Sequence, residues 1–340
     1  MAQPTDPPPG WTADQLRTSP ELFPIEVDLA NNRAAFVRLS RVDYERASFL
    51  DGRLQLQPVA TPSLDALAKA AEGAPIACDW IFHIGHVGST LISRVLGTHP
   101  QVFSLREPQA LRTFAQSPDT DARRAALPVF AALYSRTWLA PQRAVIKATS
   151  IVSDIAAELL ALSPDSRAIL LTVAPEVYIP TILGGPNSVL EMRAQAPARL
   201  ARLHAHIGAS PWRLEELSDG EIAAMSWNCE MAGLVRAARA APDRTVWLNF
   251  DRFLADRTAG LARVLQALDR EAGPETLAAL AGSAYFDRYS KAPEYAYGAR
   301  VRDEVLAEAR RAAGAEIARG LAWLERAAAD WPAVARLLAA

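Results

Sequence analysis

The chain has 340 residues, enough for two average domains or one enlarged α/β domain, and enough to bury a core without disulfide or metal staples. Half of it is apolar and 22% is charged, which excludes disordered and fibrous classes. With 36 Lys and Arg against 38 Asp and Glu the net charge is −2, so no global field recruits nucleic acid or an anionic membrane. Two cysteines, Cys78 and Cys229, make neither a disulfide framework nor a cysteine-rich zinc site and read as buried thiols of a reducing compartment. The opening MAQPTDPPPG has no basic n-region and no apolar h-region, and AILLTV at 168–173 has strand length rather than span length, so a cytoplasmic location is expected. Arginine dominates the cations; the only lysines are Lys69, Lys147 and Lys291.

Residues 1–20 are proline-rich and read as a loosely ordered lead-in. Residues 21–72 alternate and turn like a small α+β appendage, so the chain divides into an extension over 1–75 and an α/β domain over 76–340. IACDWIFHI (76–84) predicts a first strand, followed by a GHVGS turn and a helix from Thr90 to about Leu96, stopped by Gly97 and Pro100. AVIKA (144–148) predicts a second strand with a helix over 153–162, and RAILLTV (167–173) a third with a helix after Pro175. RTVWLNF (244–250) predicts a fourth strand with a helix over 251–268, and the last 40 residues read as alanine-rich helix. Continuous apolar strands separated by amphipathic helices give a mostly parallel sheet covered on both faces, a three-layer α/β/α class.

Gly85-His86-Val87-Gly88-Ser89-Thr90 ends the first strand and opens a helix. Glycines let backbone approach an anion, and the first N–H groups of the helix point at it with the positive dipole end. It is not a Walker A loop, because position 83 is His rather than Gly and no Lys follows Gly88. Two readings stand side by side, an anion cradle and an ordinary glycine-rich turn with a Ser/Thr cap.

The stretch FHIGHVGSTLISRVLGTHPQVFSLREPQAL (82–111) resembles the 5′-phosphosulfate loop of the sulfotransferase superfamily. There a loop of the type P-[RK]-S-G-T-T-L precedes a helix ending D-x-H-P and then a short segment with Glu. The similarity continues through Ala144–Thr149, Arg167–Leu183 and Arg244–Asp251, over roughly residues 76–330. The resemblance implies a P-loop fold and in-line transfer of sulfuryl from PAPS (3′-phosphoadenosine 5′-phosphosulfate) to a hydroxyl or amine; the alternatives are a non-catalytic sulfotransferase-like protein that binds a nucleotide or anion, and a P-loop phosphotransferase, against which the absence of a Gly-Lys-Ser/Thr sequence speaks. It implies a small-molecule, glycan or peptide acceptor and requires no metal, nucleic acid or membrane. On the same basis Gly85, His86, Val87, Gly88, Ser89 and Thr90 hold the phosphosulfate, with His86 at the place of a loop Arg or Lys. The spacing matches the tyrosylprotein branch most closely. Glu107 takes the place of its carboxylate base, Lys147 that of a strand lysine on the transferring group, and Ser290 and Lys291 fall in the segment closing over the cofactor. Val173 and Thr181 stand where the superfamily carries the Arg and Ser that bind the 3′-phosphate. Val173 has no charge to offer, so Arg193, Arg199, Arg300 or Arg302 would have to supply it. Acceptor contacts are expected from loops over about 184–220.

Several of these residues carry a second reading. Glu107 before Pro108 also suits a helix N-terminus. Lys147 in an apolar strand either faces an anion or snorkels to the surface. His86 is either a neutral turn residue or an imidazolium whose pKa the site pulls upward. His99 reads as a helix-stop packing residue, His204 and His206 as solvated or substrate-side, and Trp212, Trp227 and Trp247 as core.

Overall fold

A computed structural model describes residues 12–292 and 294–339. The proline-rich opening over 1–11 lies outside them, but the second half of the expected lead-in is ordered: Ala13–Thr18 is a helix capped by Thr12 in a box with Gln15. Strands β1 (Leu22–Asp28) and β2 (Arg33–Arg38) form an antiparallel hairpin. Arg136 fastens this unit by donating to the carbonyls of Leu16 (2.7 Å) and Leu22 (2.5 Å), and Tyr134 Oη donates to Pro24 O at 2.8 Å.

The main sheet has five parallel strands: β3 (Cys78–His83), β4 (Val102–Arg106), β5 (Arg143–Lys147), β6 (Ala168–Thr172) and β7 (Thr245–Asn249), in the order β4-β5-β3-β6-β7. Every residue of β3 and β4 is buried, as strands covered on both faces require. The β3-to-β4 connection runs in the opposite direction across the sheet from those that follow, so right-handed crossovers place helices on both faces. The chain reverses direction beside β3, which makes the carboxyl end of that strand the switch point where a ligand crevice forms. This is the α/β class that the strand pattern predicts.

The structure corrects two details. The sequence reading finds four strands and passes over β4, which lies inside the VFSLR stretch. The region expected to be acceptor loops over 184–220 is instead mostly a 22-residue helix, Pro186–Ile207, which continues through Pro197. A second 22-residue helix, Asp219–Ala240, is buried along most of its length and holds Trp227, Asn228 and Glu230 in the interior. It crosses the helix Gly314–Asp330 at backbone contact: a Cβ on Gly220 would lie 1.8 Å from Glu316 O, and one on Gly320 2.4 Å from Gly220 O. Among the described residues no helix is long and apolar enough to cross a membrane.

Candidate active site

The loop after β3 is built from backbone that L-residues seldom adopt. Gly85 has φ +85°, His86 +54° and Gly88 +72° before the helix Ser89–Leu96 begins. No side chain caps that helix, so its first N–H groups are left for a ligand or solvent. Thr90 is buried and its Oγ1 has no hydrogen-bond partner, while Ser89 is buried beside it. An anion at this helix start would supply the missing acceptors. The role expected of Gly88 changes, however. The room left by its missing Cβ is filled by Phe250, whose Cζ would lie 2.1 Å from such an atom. The Val87 side chain is packed in the core, so only its backbone can face a ligand.

His83, the last residue of β3, ties this loop to the neighbouring strand. Its Nε2 contacts Ala148 O at 2.8 Å, and its Nδ1 accepts the Gly85 N–H at 2.9 Å. That pattern assigns the neutral Nε2–H tautomer. Burial first, then the charge of Lys147, push its pKa down to about 3, in agreement with a neutral ring.

Glu107 directly follows β4, in left-handed backbone with φ +52°, and its N–H donates to Lys147 O at 2.7 Å. Its buried carboxylate accepts from the Lys147 ammonium, from Arg112 Nη2 at 2.9 Å and from Thr149 Oγ1 at 3.3 Å. Burial alone would raise its pKa, but the Lys147 charge and hydrogen bond, with help from Arg112, hold it at about 2. Burial lowers the pKa of Lys147, and Glu107 opposes that shift. Arg112 also reaches Asp51 at 3.5 Å, so a residue from the N-terminal extension enters the network.

For His86 the surroundings favour the neutral of the two readings. Burial, followed by the Lys291 ammonium, pushes its pKa down to about 4, and its Nε2 stands 3.9 Å from Glu191 Oε2. Its ring is neutral near pH 7.

These residues line one cleft of about 920 Å³. Eight cationic side chains (Arg53, Arg112, Lys147, Arg199, Arg257, Arg288, Lys291 and Arg302) face three carboxylates (Asp51, Glu107 and Glu191) across it. In a chain of net charge −2 this is a concentrated positive field, and two of the three lysines contribute to it. Thr181 lines the cleft, its hydroxyl donating to Val177 O at 2.6 Å. Ser290 and Lys291 line it too, their segment held by Arg94 Nε on Ser290 O and Ser48 Oγ on Lys291 O, both at 2.8 Å. Val173 is not in the lining: it is buried, and its carbonyl accepts the Trp227 indole N–H at 3.0 Å. Arg193 and Arg300 also lie outside the lining, paired with Asp219 and Glu304, whereas Arg199 and Arg302 are within it. His99 packs as expected, with Nε2 on Glu271 O at 3.0 Å, and His204 stacks on Trp212. Sequence reasoning missed His83, Arg112, Asp51, Arg257 and Arg288. His83 carried a signal, since it breaks the Walker pattern at a fixed distance from the loop; the others belong to no motif.

No protein-family model matches the chain, and no curated protein does. Solved structures to which it is similar include the sulfotransferase domain from the curacin biosynthetic pathway, at 16% identity and TM-score 0.41, covering 65% of this chain and 82% of that one. They also include sulfotransferase STF9 from Mycobacterium avium, at 15% identity and TM-score 0.37, covering 70% and 77%. The sulfotransferase from Alicyclobacillus acidocaldarius is a third, at 14% identity and TM-score 0.35, covering 72% and 97%.

Proposed function

We propose that the chain transfers a sulfuryl group from PAPS to a hydroxyl or amine on a small-molecule, glycan or peptide acceptor. The observation that carries this reading is the uncapped helix start after β3, with its buried, unpartnered Thr90 hydroxyl, in a cationic cleft that also holds the Lys147–Glu107 pair. The residues present fit the phosphosulfate end of such a donor. The backbone N–H groups of Gly88–Thr90 and the Ser89 and Thr90 hydroxyls would hold it, with Lys147 supplying the compact positive charge. The donor, when bound, supplies an activated sulfuryl group whose sulfur–oxygen bond to phosphate breaks as the bond to the acceptor oxygen forms.

The protein's part is positioning and charge stabilisation, as in phosphoryl transfer. Lys147 and the loop N–H groups stabilise negative charge on the transferring and departing groups. Glu107 receives the acceptor proton. With its pKa held at about 2 by Lys147, it is a weak base in the unloaded cleft. An anion at the loop competes for the Lys147 ammonium, and Glu107 then keeps only Arg112 and Thr149. Its proton affinity rises as that charge turns away. Donor binding therefore primes the base.

Calorimetric titration with adenosine 3′,5′-bisphosphate and, separately, with ATP–Mg²⁺ tests the reading. Binding of the bisphosphate, followed by transfer of labelled sulfur from PAPS to a panel of hydroxyl acceptors, is the expected result. Tight ATP–Mg²⁺ binding with no bisphosphate binding would assign the cleft to a phosphotransferase instead.

A further inference from the structure

Arg199 is 6% exposed and lies on the helix Pro186–Ile207, yet its side chain lines the cleft. Its Nε donates to Glu230 Oε1 at 2.9 Å, and its two terminal nitrogens have no acceptor among the described residues. Glu230 is fully buried and also takes Arg202 Nη2 on the same oxygen at 3.1 Å. Arg202 in turn stands 3.9 Å from Asp154, and Asp154 accepts from Arg236. Three guanidinium groups against two carboxylates leave this cluster, buried at Arg199 and Glu230 and reaching the surface at Arg236, with one surplus positive charge. Glu230 Oε2 and Arg202 Nε are unpartnered inside it, and the terminal fork of Arg199 is the part presented to the cleft.

The position of this fork is informative. Arg199 lines the cleft together with Tyr178 and Thr181, which lie three residues apart on the helix Pro175–Leu183, and that helix packs against the helix carrying Arg199. Residues three apart share a helix face. The guanidinium therefore comes to the same wall as Thr181, beyond the end of β6, where the third strand offers only the buried Val173. Arg302, the other cleft arginine under consideration, spends its charge on Asp251 at 2.5 Å. Guanidinium is suited to two oxygens of a phosphate monoester, and a preorganised fork loses little rotamer freedom on binding.

We propose that Arg199, positioned by Glu230, is the receptor for the 3′-phosphate of the donor nucleotide. The charge absent from the third strand then comes from the second helix after it. This rests on the proposed donor, and the experiment separates the two ideas. Adenosine 3′,5′-bisphosphate and adenosine 5′-monophosphate are titrated calorimetrically into the wild-type protein, Arg199→Lys, Arg199→Gln, Glu230→Gln and Arg302→Gln, each with a melting curve. The wild-type protein is expected to prefer the bisphosphate by roughly 10- to 150-fold, the range of a charge-assisted phosphate contact. Arg199→Gln should reduce that preference to within a few-fold and leave monophosphate affinity in place. Arg199→Lys, which keeps a cation for Glu230, should fold and retain part of the preference. Glu230→Gln should weaken the preference without touching the ligand, the mark of a positioning residue, and Arg302→Gln should keep it. A folded Arg199→Lys or Arg199→Gln with the full wild-type preference overturns the proposal alone, and a wild-type protein that binds neither nucleotide overturns it together with the donor reading.

Discussion

The Lys147 ammonium and the Glu107 carboxylate form a direct ion pair, buried on both sides, at the ends of adjacent strands β5 and β4. Under the proposed function, stability and turnover are therefore coupled at this position. Glu107→Gln leaves a buried lysine short of its partner and is expected to cost about 3–5 kcal/mol in denaturant unfolding. It is also expected to lower transfer by about 10²- to 10⁴-fold. The double variant Glu107→Gln/Lys147→Met should regain most of the stability and none of the transfer, which assigns the rate loss to chemistry rather than folding. Wild-type turnover in a folded Glu107→Gln protein removes Glu107 from the proton-accepting role.

Acid sensitivity should arrive in two windows. Glu107 has its folded pKa lowered to about 2 from an ordinary 4.5, so its contribution is present above about pH 4.5 and is lost between there and about pH 2. His83 and His86 are held down to about 3 and about 4 from 6.5, so both favour the folded state when neutral, and that stability declines as pH falls below about 6.5. One such group changes stability by at most about 1.4 kcal/mol per pH unit. His83→Asn keeps an acceptor for the Gly85 N–H and removes one titration. Unfolding measured between about pH 7 and pH 5 should show a shallower decline in this variant, and an unchanged slope would contradict the neutral buried ring.

Gly88→Ala is expected to act through the Phe250 ring before it acts on any ligand. The left-handed backbone costs an alanine about 1–2 kcal/mol, and overpacking against the ring adds a further 1–3 kcal/mol or so. Trimming the ring in Gly88→Ala/Phe250→Leu should recover part of the loss in a thermal melt. Strictly additive losses in the double variant would show that ring and loop do not compete for the same space.

Restoring the missing charge at the end of β6 should fail. Val173 is 3% exposed and outside the cleft lining. Val173→Arg would bury an unpaired cation, a change expected to cost several kcal/mol. The melting temperature should drop with no gain in bisphosphate affinity. Tighter binding in a stable Val173→Arg protein would show that this strand end can reach the ligand.

The parts of the molecule legible in the sequence are those written in local patterns. β3, β5, β6 and β7 announce themselves as apolar runs followed by helix signals, and the turn after β3 as glycines between a strand and a helix. β4 did not, because its five residues lie inside a stretch read for its resemblance rather than its hydrophobicity. The helix Pro186–Ile207 lies where acceptor loops were expected, and it continues through Pro197. Glu107 and Lys147 could be nominated singly from the resemblance, but their pairing depends on strand register. Arg199 and Glu230, 31 positions apart, meet only because two long helices pack together. His86 could be read as neutral or as an imidazolium, and burial favours the neutral ring. Strand placement is local information, whereas the protonation state and aim of a side chain are properties of the assembled interior.

The crossing of Gly220 and Gly320 sets a limit on how this protein can be cut. Neither glycine lines the cleft, yet their helices touch backbone to backbone, and the first of them also carries Glu230. A fragment ending before Gly314 would keep every residue of the cleft while stripping the cover from the helix that aims Arg199. Truncation far from the cleft would then register first in the Glu230 contact that holds Arg199. The helix Gly314–Asp330 belongs to the smallest unit in which that contact stays covered.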